Sequence, residues 1–150
     1  MGGAGIVIEY GSSGNIISGT VFTDISAGAI IVGDLSDAYP QDLRQVTTNN
    51  RIHNNVVYDV AKEYWGSVGI TGFYVDSLVI ENNEVFGIPY SGISVGWGWG
   101  GHLDSETSRN NIIRANHVSH MMSSMSDGGG IYTLGQQPNS IIDGNLIHDL

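Results

Sequence analysis

Two acidic residues are the first candidates for chemistry, because each stands a few residues before a short apolar segment that begins with glycine. Asp127 is followed by three glycines, and Glu63 is followed by two aromatic residues and a glycine. Glycine lets a ligand approach the backbone closely beside such a carboxylate. Hydrolysis of a glycosidic bond usually needs two carboxyl groups, one as the acid and one as the base or nucleophile. The sequence therefore predicts Asp127 and Glu63 as the catalytic pair, with Asp34 and Asp104 as reserve candidates on longer loops.

Aromatic residues lie near these acids, in a segment where two tryptophans alternate with glycines. Two tryptophans in so short a turn cannot both enter a core, and an exposed ring suits the apolar face of a pyranose. Each of these residues also has a purely structural explanation. A tryptophan could pack on a neighbouring loop, and Asp127 could form a turn by bonding its own backbone. Glu63 could simply be a solvated loop residue. The residues expected to bind carbohydrate are Tyr90, Trp97, Trp99, His102, Tyr132 and Asp34.

A repeated pattern determines where these segments lie. An isoleucine is followed by asparagine at +3 and by apolar residues at +5 and +8, and Thr20 takes the asparagine place in the first copy. The copies start 28 to 35 residues apart, so loops of different length separate copies of a constant local pattern. Such repeats are typical of solenoid proteins. The five copies begin at Ile17, Ile52, Ile80, Ile113 and Ile142.

The spacing within each copy predicts short strands joined by bends. Inward residues of a straight strand recur at every second position, whereas the positions 0, +3, +5 and +8 break that period twice. The chain must therefore bend near the asparagine and again after +5, and asparagine tolerates the left-handed backbone conformation that such bends use. Asparagine side chains of successive coils are predicted to hydrogen-bond along the axis, namely Asn55, Asn83, Asn116 and Asn145.

A second apolar element lies between the copies and is bounded by glycine, as in the segment 69–72. Each example is expected to pair with its counterpart one coil away in a parallel sheet. We predict an all-β chain, a right-handed parallel β-helix of about five coils with loops inserted at 34–48, 61–68, 97–110 and 122–129. The strands after Glu63 and Asp127 are then two coils apart, roughly 9.6 Å at ~4.8 Å per coil. That separation is nearer to inverting than to retaining glycosidases.

The composition restricts the partners of the chain. Its 150 residues carry a net charge of −10 with only five lysines and arginines, which argues against nucleic acid, anionic membranes and polyanionic glycans as partners. No stretch approaches the ~18 apolar residues of a membrane span. The sequence has no cysteine, its five histidines do not have a convincing metal-site spacing, and it has no phosphate-binding loop. We therefore predict neither a metal nor a cofactor.

Three segments, 63–70, 89–99 and 127–135, together resemble a known group of proteins. They are similar to bacterial right-handed parallel β-helix proteins, and most of all to those around glycoside hydrolase family 141, which includes fucosidase and xylanase activities. The resemblance implies hydrolysis of a plant-type or other complex polysaccharide, with Asp127 as the acid.

Members of this group are much longer, which implies that residues 1–150 are one segment of a longer extracellular or periplasmic β-helix. The remaining coils of that protein would then be partners of this segment. If those coils carry the second acid, the segment is inactive by itself.

Two other functions stay open on the sequence alone. A polysaccharide lyase on the same fold would use a lysine or arginine base and often calcium, which the scarcity of cationic residues disfavours. A non-catalytic surface β-helix would bind glycan through Trp97 and Trp99 without turning it over, since a fold does not determine a function.

Overall fold

The chain forms a solenoid of stacked coils in a computed structural model that describes residues 2–98 and 107–150. Three parallel sheets run along the solenoid, and each takes one short strand from every coil. Sheet 1 contains β1 (Ile6–Ile8), β4 (Ile30–Val32), β8 (Ile70–Gly72), β12 (Ile93–Val95) and β15 (Ile131–Thr133). Sheet 2 contains β2 (Ile16–Ser18), β6 (Arg51–His53), β10 (Val79–Glu81), β13 (Ile112–Arg114) and β16 (Ile141–Asp143). Sheet 3 contains β3 (Val21–Phe22), β7 (Val56–Tyr58), β11 (Glu84–Ile88), β14 (His117–Met121) and β17 (Leu146–His148).

The connections contain little further regular structure. The loop after β4 holds two 3-10 helices, Leu35–Ala38 and Leu43–Gln45. A short pair of parallel strands, β5 (Thr47–Thr48) and β9 (Val75–Asp76), precedes sheet 2. Within the described ranges, no helix is long and apolar enough to cross a membrane. The predicted parallel β-helix architecture of about five coils is confirmed.

The core is a stack of aliphatic side chains that repeats from coil to coil. The register pairs Ile80 with Ile52 on one side and with Ile113 on the other, so equal positions of the repeat lie above one another. The +5 and +8 residues join them, and Val85 and Ile88 are fully buried. Each such side chain contributes roughly 1.5–3 kcal/mol by leaving water. In the last coil, by contrast, the corresponding Ile142 is 54% exposed.

The bends of the solenoid use residues with positive φ, but these are not the +3 asparagines. The left-handed residue stands one position earlier, at +2, as in Asn54 and Asn82. Its side chain is exposed, which leaves the next residue, Asn55 or Asn83, to point into the coil and bond along the axis. Left-handed residues recur at −3 and +7 as well, giving three bends in each coil with φ between 52° and 71°. The bend at −3 was not predicted.

The predicted asparagine ladder is present and is buried. Asn83 Oδ1 accepts hydrogen bonds from the backbone N and the Nδ2 of Asn55, both at 3.0 Å. Asn83 in turn donates to Asn116 Oδ1 from its backbone N and its Nδ2, and its Nδ2 also donates to the carbonyl of Ile52. The pattern continues from Asn116 to Asn145. Each amide therefore satisfies backbone groups at a bend that no strand partner reaches.

A second polar ladder stands at position −2 of the repeat. Asn50 Oδ1 accepts from the backbone N and the Nδ2 of Asn15 at 2.9 Å. Asn111 Oδ1 accepts from the backbone N of Leu78, and Ser140 Oγ accepts from the backbone N of Asn111. This ladder bonds the backbone at the bend before sheet 2 in the same way as the first ladder does after it.

One ion-pair group holds three coils together on the outer side of sheet 2. Glu81 is only 2% exposed, with Arg114 Nε donating to its Oε2 at 2.7 Å and Arg51 Nε donating to its Oε1 at 2.6 Å. These bonds, that from Arg114 foremost, keep the pKa of Glu81 below its ordinary value, because they favour the ionised form. The two arginine side chains are about half exposed and cover the carboxylate.

Removal of one ladder rung tests the contribution of the asparagines. The variant Asn83→Ala leaves groups of Asn55 and the carbonyl of Ile52 without partners in a buried place, and we expect it to lower the free energy of unfolding by about 2–4 kcal/mol. Urea unfolding followed by circular dichroism measures this loss. Thr20→Ala is the control, because the Thr20 hydroxyl bonds only the nearby carbonyl of Ser18. Equal losses in the two variants would contradict the proposed role of the ladder.

The Glu81 group predicts how stability depends on pH. A carboxyl whose folded-state pKa is lowered contributes stability that is present above its unfolded-state pKa, about 4.3, and is lost as pH falls through the folded-state pKa. Glu81→Gln should therefore cost about 1.5–3 kcal/mol at pH 7 and progressively less in an unfolding series taken below pH 4.5. The exposed Glu63, changed to Gln, serves as the control. A difference between Glu81→Gln and wild type that is independent of pH would refute the assignment.

Candidate functional site

A groove runs along the outer face of sheet 1. In every strand of this sheet the middle residue points outward, and the register places Ile31, Thr71, Ser94 and Tyr132 side by side on successive coils. Their flanking residues, such as Ile30 and Val32 in β4, point into the core. The floor of the groove therefore changes from an aliphatic residue through two hydroxyl groups to a phenol.

Two adjoining cavities of about 200 and 260 Å³ make up this groove. Both are lined by Gly66, Val68, Ser94 and Trp97, so they lie next to each other on the same face. The larger one extends along the axis and is also lined by Tyr90, Met125, Tyr132 and Leu134. Apolar and aromatic walls with a few hydroxyl groups are the usual lining of a small-molecule site.

Trp97 forms one wall of the groove and is held there by its neighbours. Its ring meets the ring of Phe73 edge to face, with centroids 5.5 Å apart and an interplanar angle of 83°. The preceding residue, Gly96, has a φ of +91°, and a Cβ there would lie 2.0 Å from the carbonyl oxygen of Leu134. Only glycine fits that position, so the turn that delivers Trp97 depends on it. The ring is half-buried, which leaves part of it for a ligand.

The opposite wall comes from two loops of equal length that lie two coils apart. Ala61 and Met122 open these loops with φ near +60°, and each loop then bonds back to the preceding coil, as in the bonds from Glu63 N to Ser26 O and from Ser124 N to Pro89 O. The first isoleucine of the next strand stands nine positions after each opening residue. Counting along the loops, Gly66 corresponds to Asp127, and Glu63 corresponds to Ser124.

This correspondence places Asp127 at the edge of the groove. Gly66 lines both cavities, and Asp127 has the equivalent place next to the coil of Tyr132. The following Gly128 lies tightly against Tyr90, because a Cβ there would lie 2.7 Å from its ring. Burial raises the pKa of Tyr90 above its ordinary value, and the nearby charge of Asp127 and the phenol of Tyr132 raise it further. Asp127 itself is exposed.

Tyr90, Trp97 and Tyr132 therefore line one groove, with Asp127 beside them. Glu63 is exposed at the start of its loop, where its backbone N donates to Ser26, and among the described residues it is not part of the groove lining. Asp34 caps the helix Leu35–Ala38, since its Oδ1 accepts from the backbone N of Ser36 at 2.7 Å. The hydrogen bond from the Ser36 hydroxyl, and after it this backbone bond, lower the pKa of Asp34. The sequence-predicted Trp99, His102 and Asp104 lie outside the described residues.

Sequence reasoning missed several residues of the groove. Thr71, Ser94 and Phe73 line it, yet they were not among the expected ligands of carbohydrate. The alternation of side chains along a strand predicts the positions of Thr71 and Ser94, because the central residue of each glycine-bounded segment has to face away from the core. Within residues 2–98 and 107–150, no group of three or more histidine, aspartate or glutamate side chains is arranged to hold a metal ion.

Comparison with known proteins agrees with this architecture. The family model described as right handed beta helix region matches residues 1–150. A solved structure named as a glycoside hydrolase superposes with a TM-score of 0.94 and is 37% identical, over 99% of this chain and 26% of that chain. The chain thus spans about a quarter of the length of that protein. No curated protein sequence matches. The chain belongs to the family of right-handed β-helix proteins.

Proposed function

We propose that the chain is a segment of a glycoside hydrolase that binds a neutral glycan in the groove on sheet 1. The observation that carries this proposal is the grouping of Trp97, Tyr90 and Tyr132 around hydroxyl groups with a carboxylate, Asp127, beside them. Aromatic rings suit the apolar faces of sugar rings, while hydroxyl groups bond their edges. The likeness to a glycoside hydrolase over 99% of this chain supports the same reaction class.

The groove favours an uncharged substrate. Its described lining contains no lysine or arginine that would pair with a uronic acid, and the whole chain has a net charge of −10. A polyanionic glycan would meet this charge at a cost in binding free energy. A polysaccharide lyase would need a lysine or arginine as its base, and the described lining residues include neither. Hydrolysis is therefore the better-supported reaction.

Asp127 is the proposed general acid, which protonates the glycosidic oxygen as the bond to the leaving group breaks. Its position beside Tyr90 and at the edge of the groove supports this role. Glu63, the second acid predicted from the sequence, is not part of the described groove lining, so we propose that a carboxylate on another coil of the longer protein is the base that activates a water. The strands after Glu63 and Asp127, β8 and β15, are separated by one strand in sheet 1, and a base acting from the Glu63 loop would correspond to an inverting mechanism.

The longer protein that we propose to contain these coils is expected to act on a plant-type or other complex polysaccharide outside the cytoplasm. Because the chain spans only 26% of the matched glycoside hydrolase, activity is best tested on that longer protein. Binding by the groove is testable on residues 1–150.

The catalytic assignment predicts the effect of Asp127→Asn in the longer protein. Loss of the acid should reduce turnover of a neutral oligosaccharide by at least about 100-fold, because general acid catalysis contributes about 10²–10⁴ in rate. Reducing-sugar release measures turnover, and calorimetry should find oligosaccharide binding retained. Asp59→Asn, on an exposed bend after β7 in the second coil, is the matched control. Turnover by Asp127→Asn at the wild-type rate would remove Asp127 from the mechanism.

The binding assignment predicts that Trp97→Ala weakens oligosaccharide binding by about tenfold, since an aromatic contact of this kind is worth about 0.5–1.5 kcal/mol beyond the area that it buries. Isothermal titration calorimetry measures the change in affinity. Trp65→Ala is the control, because Trp65 is 57% exposed on the loop and its Nε1 donates to the carbonyl of Lys62. An equal loss of affinity in both variants would show that the effect does not come from the groove.

A further inference from the structure

Two histidines of neighbouring coils face each other on the outer side of sheet 3. His117 in β14 and His148 in β17 have Nε2 atoms 2.8 Å apart, and their rings stack with centroids separated by 5.0 Å. His120 meets His148 edge to face, at a centroid distance of 6.2 Å. This histidine group belongs to a different sheet from the groove, so it is independent of the proposed glycosidase site.

A carboxylate stands on the Nδ1 side of each of the two rings. Asp149 Oδ2 lies 2.7 Å from His148 Nδ1, and Glu84 Oε1 lies 3.8 Å from His117 Nδ1. A carboxylate only accepts hydrogen bonds, so the contact with Asp149 assigns the proton of His148 to Nδ1. This hydrogen bond also lowers the pKa of Asp149.

His148 therefore turns an Nε2 without a proton toward His117 Nε2, 2.8 Å away, and this contact is a hydrogen bond when His117 carries its proton on Nε2. A divalent ion can take the place of that proton between the two nitrogens, with the His117 proton then on the Nδ1 side, toward Glu84. A carboxylate on one ring nitrogen and a metal on the other is the usual arrangement around metal-binding histidines, because the carboxylate fixes the tautomer and raises the basicity of the ligand. His148 and Asp149 have this arrangement, and Glu84 stands on the Nδ1 side of His117 at 3.8 Å, where a small movement of either side chain brings it to hydrogen-bond distance.

We propose that His117 and His148 bind one divalent transition-metal ion, of the Zn²⁺ or Cu²⁺ type, through their Nε2 atoms. Two bonds of about 2.0–2.1 Å at a tetrahedral angle need nitrogens about 3.3 Å apart, so the rings must separate slightly. The two side chains are 42% and 41% exposed, which leaves them room to rotate. Water completes the coordination, since the described residues offer no third ligand in place. Cu²⁺ should bind more tightly than Zn²⁺.

Isothermal titration of the folded chain with ZnCl₂ tests the site. We expect one ion per chain, with affinity at least about tenfold lower in both His117→Gln and His148→Gln, and about tenfold lower in Asp149→Asn, whose change removes only the orienting carboxylate. His53→Gln is the matched control, because His53 lies on sheet 2 and contacts Asn54 through Nδ1. Circular dichroism establishes that each variant is folded.

Nitrogen NMR of the imidazoles gives a second readout, because the Nε2 resonances of His117 and His148 alone should move when Zn²⁺ is added. The proposal is overturned if wild type binds neither Zn²⁺ nor Cu²⁺. It is equally overturned if His148→Gln binds the ion as tightly as wild type does, or if NMR finds only a proton shared between the rings in the presence of the metal.

Discussion

From the second coil to the fifth, each coil is joined to the next by an asparagine whose side-chain oxygen accepts two hydrogen bonds from the asparagine of the neighbouring coil. Strands of two or three residues are too short to hold a bend in place by themselves, and the backbone groups at the bend have no strand partner. The buried amide supplies both hydrogen bonds in a dry place, where a missing partner is costly. Sheet register, the stacked core and the position of the groove all depend on this contact.

The groove follows from the same constraint. Because equal positions of the repeat lie directly above one another, the outward residues of sheet 1 form a row along the axis, and loops of equal length bring Gly66 and Asp127 to corresponding places. The acidic and aromatic residues are far apart in sequence, yet the stacking makes them neighbours. Sheets 2 and 3 carry different outer rows, with Glu81 held between two arginines on one and His117 facing His148 on the other.

The sequence was sufficient to predict the coils, the asparagine ladder and the inward isoleucines, because each recurs at constant spacing. The sequence was not sufficient to predict contacts in which the same position of the repeat holds different residue types in different coils. Leu78 and Ser140 interrupt the asparagines at −2, so the second ladder was missed. Spacing along the chain likewise does not reveal that the ring of His117 stacks on that of His148 in the next coil. Contacts between coils depend on loop length as well as on pattern, and only coordinates reveal which outward residues meet.

The three left-handed bends, five residues apart in each coil, have a consequence for how such a protein can change. An insertion between the −3 and +8 positions would move at least one bend away from those above and below it, and between −2 and +3 it would also put the two polar ladders out of step with each other. An insertion in the segments that join sheet 3 to sheet 1, or sheet 1 to sheet 2, leaves every ladder intact. Length variation is thereby confined to the edges of sheet 1, so evolution can reshape the groove while the coil itself stays fixed.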